Sequence, residues 1–230
     1  MSKKLSVLAV CTLCALLTLP LIASETKFSS ELTDADKERI TQELETISER
    51  EAQTTCPLSG NAVAEGTGHD YMGYHIGTCC GGCAAKVKEN PLGAIKTLRD
   101  SGQEPQRVET VSAQTVCPMS GKPVKEDIWA VQDNMLMKFC CPGCVQGFKD
   151  DPTATAEKLI EKGEVPVILT LEQKTCPVMG GPAKDDVTAQ ADGHTVKLCC
   201  AGCEGSVQEN SNEILTMLRN KGIYVAPASE

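Results

Sequence analysis

The chain has 230 residues, a formal net charge of −9 and an aromatic content of only 3%. Such an acidic chain is a poor binder of nucleic acid, because affinity for phosphate groups depends on lysine and arginine. Fourteen residues are cysteine, and small units this poor in large apolar side chains are expected to need covalent or metal cross-links.

The N-terminal segment has the layout of a secretory signal peptide. Two lysines precede an apolar run at residues 5–22, and small residues follow it. We therefore predict a signal peptide at 1–23 and export to a bacterial periplasm or the medium. The alternative is a membrane anchor at 5–23, because the run approaches the length that spans a bilayer. Cleavage would leave twelve cysteines and change the net charge from −9 to −11, since two lysines and no acidic residue are removed.

Residues 24–54 are polar and contain no cysteine. Three apolar residues recur there at helical spacing: Ile40, Leu44 and Ile47. This spacing predicts an amphipathic helix over 34–51, with Asp34 or Asp36 as its cap. The apolar stripe covers only two turns, which favours a solvated helical spacer over a coiled-coil partner helix.

The rest of the chain repeats one cysteine pattern three times, which predicts modules at 55–102, 116–163 and 175–222. Each module begins with a Cys-Pro-x-x-Gly turn whose cysteine we call the turn cysteine: Cys56, Cys117 and Cys176. After 22 further residues comes a Cys-Cys-x-Gly-Cys triplet with a first, a middle and a last cysteine. The triplets are Cys79, Cys80 and Cys83; Cys140, Cys141 and Cys144; and Cys199, Cys200 and Cys203.

Each module is predicted to be a small α+β unit in which a β-hairpin precedes the triplet and two short helices follow it. The predicted hairpin turns are Met72-Gly73, Asp133-Asn134 and Asp192-Gly193. One apolar residue per module lies four positions beyond the triplet, on the inner face of the first helix: Val87, Phe148 and Val207. A glycine is expected to end each second helix: Gly102, Gly163 and Gly222. Polar linkers at 103–114 and 164–174 would join the modules like beads on a string.

The cysteine spacing favours a metal site in every module. A triplet at a strand end and a helix start places thiols where the helix dipole and free N–H groups stabilise thiolates. Up to four thiolates can therefore meet in each module, which is the ligand set of a closed tetrahedral site. All-sulfur sites select soft ions such as zinc or copper(I). All twelve module cysteines are thus candidate ligands, for about one ion per module.

Module 2 carries a run that resembles a known family. Phe139-Cys140-Cys141-Pro142-Gly143-Cys144, followed by Phe148 and Asp151-Pro152, is similar to the heavy-metal-binding TRASH domain and its relative, the YHS domain. The resemblance extends to all three modules and implies a treble-clef-like or zinc-ribbon-like fold. It also implies a role in copper or heavy-metal trafficking, resistance or sensing, which makes a metal-transport or efflux protein a candidate partner.

The resemblance implies three ligands in each module, namely the turn cysteine and the first and last cysteines of the triplet. These are Cys56, Cys79 and Cys83; Cys117, Cys140 and Cys144; and Cys176, Cys199 and Cys203. The chain departs from the family by its middle cysteines, which are Cys80, Cys141 and Cys200. It also has Ser59, Ser120 or Met179 where related knuckles can have a second cysteine.

The sequence thus favours an exported, non-enzymatic metal-binding protein for heavy-metal sequestration, trafficking or resistance. One alternative is a set of interaction modules in which zinc or disulfides only maintain the fold, since export favours disulfides. Another is a thiol–disulfide redox protein, because the middle and last cysteines have Cys-x-x-Cys spacing at a helix start. No βαβ unit surrounds that spacing, and the preceding cysteine would complicate exchange between two thiols.

Overall fold

The computed structural model describes residues 31–228, and the predicted signal peptide lies outside the described residues. This part of the chain is a small mixed α+β protein with seven α-helices and several small sheets. Among the helices described, none combines the length and the apolar character that crossing a membrane requires.

The first helix, α1 (Asp34–Glu49), packs on the rest of the protein. Its cap is Thr33, whose hydroxyl accepts a hydrogen bond from the N–H of Asp36, while the Asp36 carboxylate accepts one from the N–H of Thr33. Ile40 is fully buried in an apolar cluster that includes residues of modules 2 and 3, and Leu44 packs against the same cluster. The helix is therefore not the solvated spacer expected from its short apolar stripe.

All three modules contain the predicted hairpin and the two predicted helices. Module 1 and the strands that flank it consist of β1 (Glu51–Ala52), β2 (Gly68–Tyr71), β3 (Tyr74–Gly77), α2 (Gly81–Glu89), α3 (Pro91–Asp100), β4 (Gln103–Glu104) and β5 (Gln106–Arg107). Module 2 and its flanking strands consist of β6 (Ser112–Ala113), β7 (Trp129–Gln132), β8 (Met135–Lys138), α4 (Pro142–Asp150), α5 (Pro152–Glu161), β9 (Glu164–Val165) and β10 (Val167–Ile168). Module 3 consists of β11 (Lys184–Ala191), β12 (His194–Leu198), a 3₁₀ turn (Ala201–Cys203), α6 (Glu204–Glu209) and α7 (Ser211–Arg219).

The hairpin turns lie where the sequence predicts them. Both central residues of each turn have positive φ angles, which reach 80° at Gly73 and 62° at Asn134. This conformation gives the turn the twist that matches the flanking strands, and it explains the preference for glycine, asparagine and aspartate there. In module 3 the strand residues on either side of the turn, Ala191 and His194, are paired. In every module the second strand of the hairpin precedes the triplet.

The helices after each triplet also follow the sequence prediction. The apolar residue one turn beyond the last cysteine is fully buried in every module: Val87, Phe148 and Val207. Asn90 and Asp151 then cap the second helices of modules 1 and 2, because their side chains accept hydrogen bonds from Gly93 N–H and Ala154 N–H. The predicted terminal glycines have φ angles of 79°, 78° and 72° in chain order, the left-handed conformation of a helix end.

The segments expected as polar linkers belong to the sheets instead. Each strand after the second helix pairs in parallel with the strand before the turn cysteine, β4 with β1 and β9 with β6. Next, β5 and β10 add a third strand to the hairpins of modules 1 and 2. Residues of the second linker are buried in the core: Val165, Ile168, Leu169 and Leu171. The modules are therefore not separate beads.

Two apolar clusters extend across the module boundaries. One contains Ile76 of module 1 together with Met137 and Phe148 of module 2. The other joins Leu136 of module 2 to Val196 of module 3 and to α1. Each module is too small to bury a large core of its own, so pooling apolar faces reduces its dependence on a cross-link.

A buried charge network also ties module 1 to the second linker. Arg99 is only 6% exposed, and its guanidinium donates to Glu104 at 2.8 Å and 2.6 Å. The same side chain donates to the carbonyl of Ile168 at 2.7 Å and to the hydroxyl of Thr170 at 3.1 Å. A carboxylate oxygen of Glu43, in α1, lies 3.8 Å from a guanidinium nitrogen of Arg99. Because the partners of this charge come from three segments of the chain, namely α1, the strand after α3 and segment 164–174, the network fixes how those segments meet.

Candidate metal centres

The Cys-Pro-x-x-Gly turn holds the turn cysteine in a buried, tightly bonded bend. In module 1 the N–H of Gly60 donates to the carbonyl of Cys56 at 2.9 Å, and the N–H of Cys56 donates to the carbonyl of Asn61 at 2.7 Å. Gly60 has a φ angle of 71°, which explains the glycine at this position. The same bond pattern recurs at Gly121 and Gly180. The three turn cysteines are between 0% and 2% exposed.

The triplet spans the junction between the second hairpin strand and the first helix. Its first cysteine follows the end of the strand by one or two residues, its middle cysteine occupies the N-cap position, and its last cysteine lies in the first helical turn. This arrangement brings the first and last sulfurs onto one side of the junction. Their Sγ atoms lie 3.8 Å apart in all three modules.

The turn cysteine completes a three-sulfur cluster in every module. The sulfurs of each cluster all lie within 4.8 Å of one another: Cys56, Cys79 and Cys83; Cys117, Cys140 and Cys144; and Cys176, Cys199 and Cys203. A tetrahedral ion with metal–sulfur bonds of about 2.3 Å places its ligands about 3.8 Å apart. The spacing therefore fits a common metal ligand set, and all twelve cysteines of residues 31–228 are free thiols.

Hydrogen bonds favour the thiolate form of the turn cysteines. Burial acts to raise the pKa of the Cys56 thiol, but bonds from the Ser59 hydroxyl and backbone N–H groups outweigh it and lower the pKa to about 6. Burial is likewise outweighed at Cys117, where the N–H of Cys140 and the Ser120 hydroxyl lower the pKa to about 7. These two cysteines are therefore poised to bind a cation at neutral pH.

The last cysteines of the triplets have the opposite tendency. Hydrogen bonding to the Cys80 sulfur, followed by burial, raises the pKa of Cys83 to about 12. Burial and the neighbouring sulfurs raise the pKa of Cys203 to about 12, and the pKa of Cys144 is also raised. In modules 1 and 2 the cluster thus combines a turn cysteine of lowered pKa with a last cysteine of raised pKa. A bound cation would displace the thiol protons, so metal binding and proton release are coupled.

Modules 1 and 2 share a hydroxyl that module 3 lacks. The hydroxyl of Ser59 lies 3.2 Å from the Cys79 sulfur, and that of Ser120 lies 3.2 Å from the Cys140 sulfur. Module 3 has Met179 at this position, with 71% of the residue exposed. The three clusters therefore have equal sulfur spacing but different immediate surroundings.

The middle cysteines lie beside the clusters. All three are exposed: Cys80, Cys141 and Cys200. The Cys141 sulfur is 3.5 Å from the Cys144 sulfur, and the Cys200 sulfur is 3.8 Å from the Cys203 sulfur. The structure thus brings them close to the last cysteine of the triplet, and their role as ligands stays a prediction.

Sequence reasoning misses one repeated residue, a glutamine three positions before each turn cysteine: Gln53, Gln114 and Gln173. The Gln173 amide donates to the carbonyls of Thr175 at 2.9 Å and Lys197 at 2.7 Å, and it accepts from the N–H of Lys197 at 2.9 Å. Gln53 and Gln114 make the same three bonds in their modules. Each glutamine therefore clamps the strand before the triplet to the strand before the turn. The sequence does contain a signal for this role, because a glutamine recurs at the same distance before every turn cysteine.

Comparison of the chain with protein-family models, with curated proteins and with solved structures finds no match. The class of site accordingly follows from the geometry: three cysteine clusters of one design, each able to hold a metal ion, on a small α+β scaffold.

Proposed function

We propose that this is an exported, non-enzymatic protein that binds a soft metal ion in each of its three cysteine clusters. The ion is copper(I) or zinc, and the role is sequestration, trafficking or resistance. The observation that carries the proposal is the threefold recurrence of three sulfurs within 4.8 Å. Thiolate ligands select copper(I) and zinc over hard cations, and the same sulfur cluster recurs in all three modules.

The resemblance to TRASH and YHS domains enters as part of this proposal. The junction of a hairpin strand with a helix, carrying the triplet opposite a Cys-Pro-x-x-Gly turn, supports a treble-clef-like or zinc-ribbon-like description of the modules. A metal-transport or efflux protein would then be the partner that supplies or receives the ion.

The packing of the modules supports a site that exchanges metal over one that only maintains the fold. Fully buried side chains such as Phe139, Phe148 and Leu198 belong to clusters shared between modules. A protein with such pooled cores can retain its fold when the metal leaves. Small modules that depend on a structural metal instead unfold on its removal.

The test is the metal content of the mature protein purified from the export compartment, together with a count of free thiols. We expect about one soft ion per module, with thiols that become reactive only after a chelator is added. Absence of both metal and free thiols would contradict the proposal and favour disulfide-stapled interaction modules.

Lability separates trafficking from a structural role. Circular dichroism and thermal unfolding should be recorded before and after a competing chelator removes the ion. We expect the folded signal to persist and the ion to rebind. Unfolding after removal of the ion would show that the ion is needed to maintain the fold.

Thiol–disulfide exchange is a competing function, favoured by the 3.5 Å separation of the Cys141 and Cys144 sulfurs. Reduction of a model disulfide by the metal-free protein tests it. A rate no faster than that of a free thiol would exclude this function.

A further inference from the structure

The triplet of module 3 forms a second group of sulfurs on the solvent side of the site. The Cys200 sulfur lies 3.8 Å from the Cys203 sulfur and 3.9 Å from the Cys199 sulfur, and the Cys199 and Cys203 sulfurs are 3.8 Å apart. These distances describe a nearly equilateral triangle, which we call the outer face. It shares its Cys199–Cys203 side with the inner cluster that Cys176 completes.

The two faces differ in exposure. Cys176 and Cys203 are 2% and 3% exposed, whereas Cys200 is exposed. An ion on the inner cluster would therefore be bound by two buried sulfurs and by that of Cys199, which is only partly buried. An ion on the outer face would be bound by a sulfur that an external donor or acceptor can reach.

The backbone fixes the exposed sulfur at the edge of the site. Cys200 occupies the N-cap position in an extended conformation, with φ −159° and ψ 159°, and its carbonyl accepts a hydrogen bond from the N–H of Cys203 at 3.2 Å. Cys141 has the same conformation in module 2, and its sulfur lies 3.5 Å from that of Cys144. The placement is thus a property of the repeated motif.

On the basis of the proposed function, we propose that copper(I) enters and leaves module 3 through the outer face, formed by Cys199, Cys200 and Cys203. A three-thiolate set suits copper(I), a soft ion for which sulfur ligands are preferred. Zinc sites, in contrast, almost always have four ligands. The middle cysteine would therefore act as a loading ligand, in addition to the three ligands of the inner cluster.

The exchange requires one bond to form and one to break. As the ion moves inward, a bond to the Cys176 thiolate forms and the bond to the Cys200 sulfur breaks, which leaves Cys200 as a thiolate in contact with water. Cys199 and Cys203 stay bound throughout. Copper remains monovalent, so no oxidant or reductant is needed, and the ion always keeps at least two sulfur ligands.

Site-resolved alkylation of the mature chain tests this route. The protein is loaded anaerobically with copper(I) and then mixed with a copper(I) chelator and iodoacetamide. Peptide mass spectrometry follows the alkylation of Cys199, which belongs to both faces and is only partly buried, so its modification reports release from module 3. In Cys200→Ser we expect this release to slow by about tenfold. The matched control Ala201→Ser alters the neighbouring exposed residue without changing a sulfur, and it should release copper at the wild-type rate.

A second variant keeps the test independent of folding defects in the first. In Cys176→Ser the ion should remain on the outer face, so copper should still protect the two reachable sulfurs of that face, Cys199 and Cys200, from alkylation. Release at the wild-type rate from Cys200→Ser would overturn the loading route, as would unprotected Cys199 and Cys200 in Cys176→Ser. If copper protects none of these cysteines in the wild-type chain, the proposed function itself fails.

Discussion

Modules 2 and 3 place the first and last sulfurs of their triplets at the same 3.8 Å separation, yet the atoms around those sulfurs differ. Module 2 has the Ser120 hydroxyl 3.2 Å from the Cys140 sulfur, whereas module 3 has the exposed side chain of Met179 at that position. Cys203 is also buried, whereas its counterpart Cys144 is only partly buried. The comparison teaches that the repeated motif determines where the sulfurs lie, while individual neighbours determine the chemical character of each site.

The largest effect should come from removing a sulfur that both modules share. Cys144→Ser and Cys203→Ser each delete one ligand of three, so each should weaken binding at its own site by more than about 100-fold, beyond the effect of changing a residue that only hydrogen-bonds to a ligand. Titration with copper(I) against a chromophoric chelator should show one site fewer in either variant. A loss in only one of the two would show that the modules do not use the same ligand set.

Acid should lower the stability of module 2 through Glu164, a buried carboxylate that accepts hydrogen bonds from the backbone just before the turn cysteine. The buried Glu164 accepts hydrogen bonds from the N–H groups of Thr115 at 2.7 Å and Val116 at 2.9 Å. Burial opposes ionisation, but these bonds and one from the Thr115 hydroxyl outweigh it and lower the pKa of Glu164 below its ordinary value of 4.5. Its contribution to stability is therefore complete above pH 4.5 and is lost as the pH falls through the lowered pKa. Module 3 has Ile223 at the equivalent place, after Gly222.

Glu164→Gln should lower the free energy of unfolding at pH 7 by about 1 kcal/mol, the difference between hydrogen bonds to a charged and to a neutral acceptor. The substitution should also make the free energy of unfolding depend less on pH in the acid range. Module 1 shows that an amide fits, since Gln103 accepts bonds from the N–H groups of Thr54 and Thr55. Denaturant unfolding at pH 7 and pH 4 measures both effects, and the exposed Glu161→Gln is the control. Unchanged acid dependence in Glu164→Gln would contradict the assignment.

The glutamine clamp should matter equally in both modules. Gln114→Ala and Gln173→Ala each leave backbone groups of two strands without a partner, which costs about 1–3 kcal/mol. Denaturant unfolding of the metal-free protein should detect this loss. Gln190→Ala, at an exposed strand position of module 3, should change stability by less than about 0.5 kcal/mol. A clamp effect confined to one module would show that the scaffold itself differs between them.

The smallest effect is expected from exchanging the residues that distinguish the two sites. Met179→Ser places a hydroxyl where modules 1 and 2 have one, and a hydrogen bond to the Cys199 sulfur would reduce the electron density available to the metal. We expect copper(I) affinity at module 3 to fall by up to about tenfold, equivalent to one ordinary hydrogen bond. Chelator competition measures this change, and Met179→Leu, which removes only the thioether, is the control. Equal losses in both variants would show that the thioether, and not the missing hydroxyl, distinguishes module 3.

The sequence by itself was sufficient for the local structure of each module. Hairpin turns such as Asp192-Gly193, the buried residue one turn beyond each triplet and the terminal glycines depend on interactions between residues close in the chain. The three sulfurs of each cluster follow from the same local geometry, because a strand end, a helix start and one tight turn place them. That is why repeated spacing was enough to select the candidate ligands.

Only the tertiary structure decided how the modules meet. The burial of Ile40, the strands formed by the expected linkers and the Arg99 network depend on complementary surfaces that lie far apart in the sequence. We predict a polar linker over 164–174, but this segment contains five aliphatic residues, and Leu169 among them is fully buried because residues of modules 2 and 3 cover it. The different exposure of Cys200 and Cys203 has the same origin: chain geometry places both sulfurs, but the surrounding packing determines which of them an external molecule can reach.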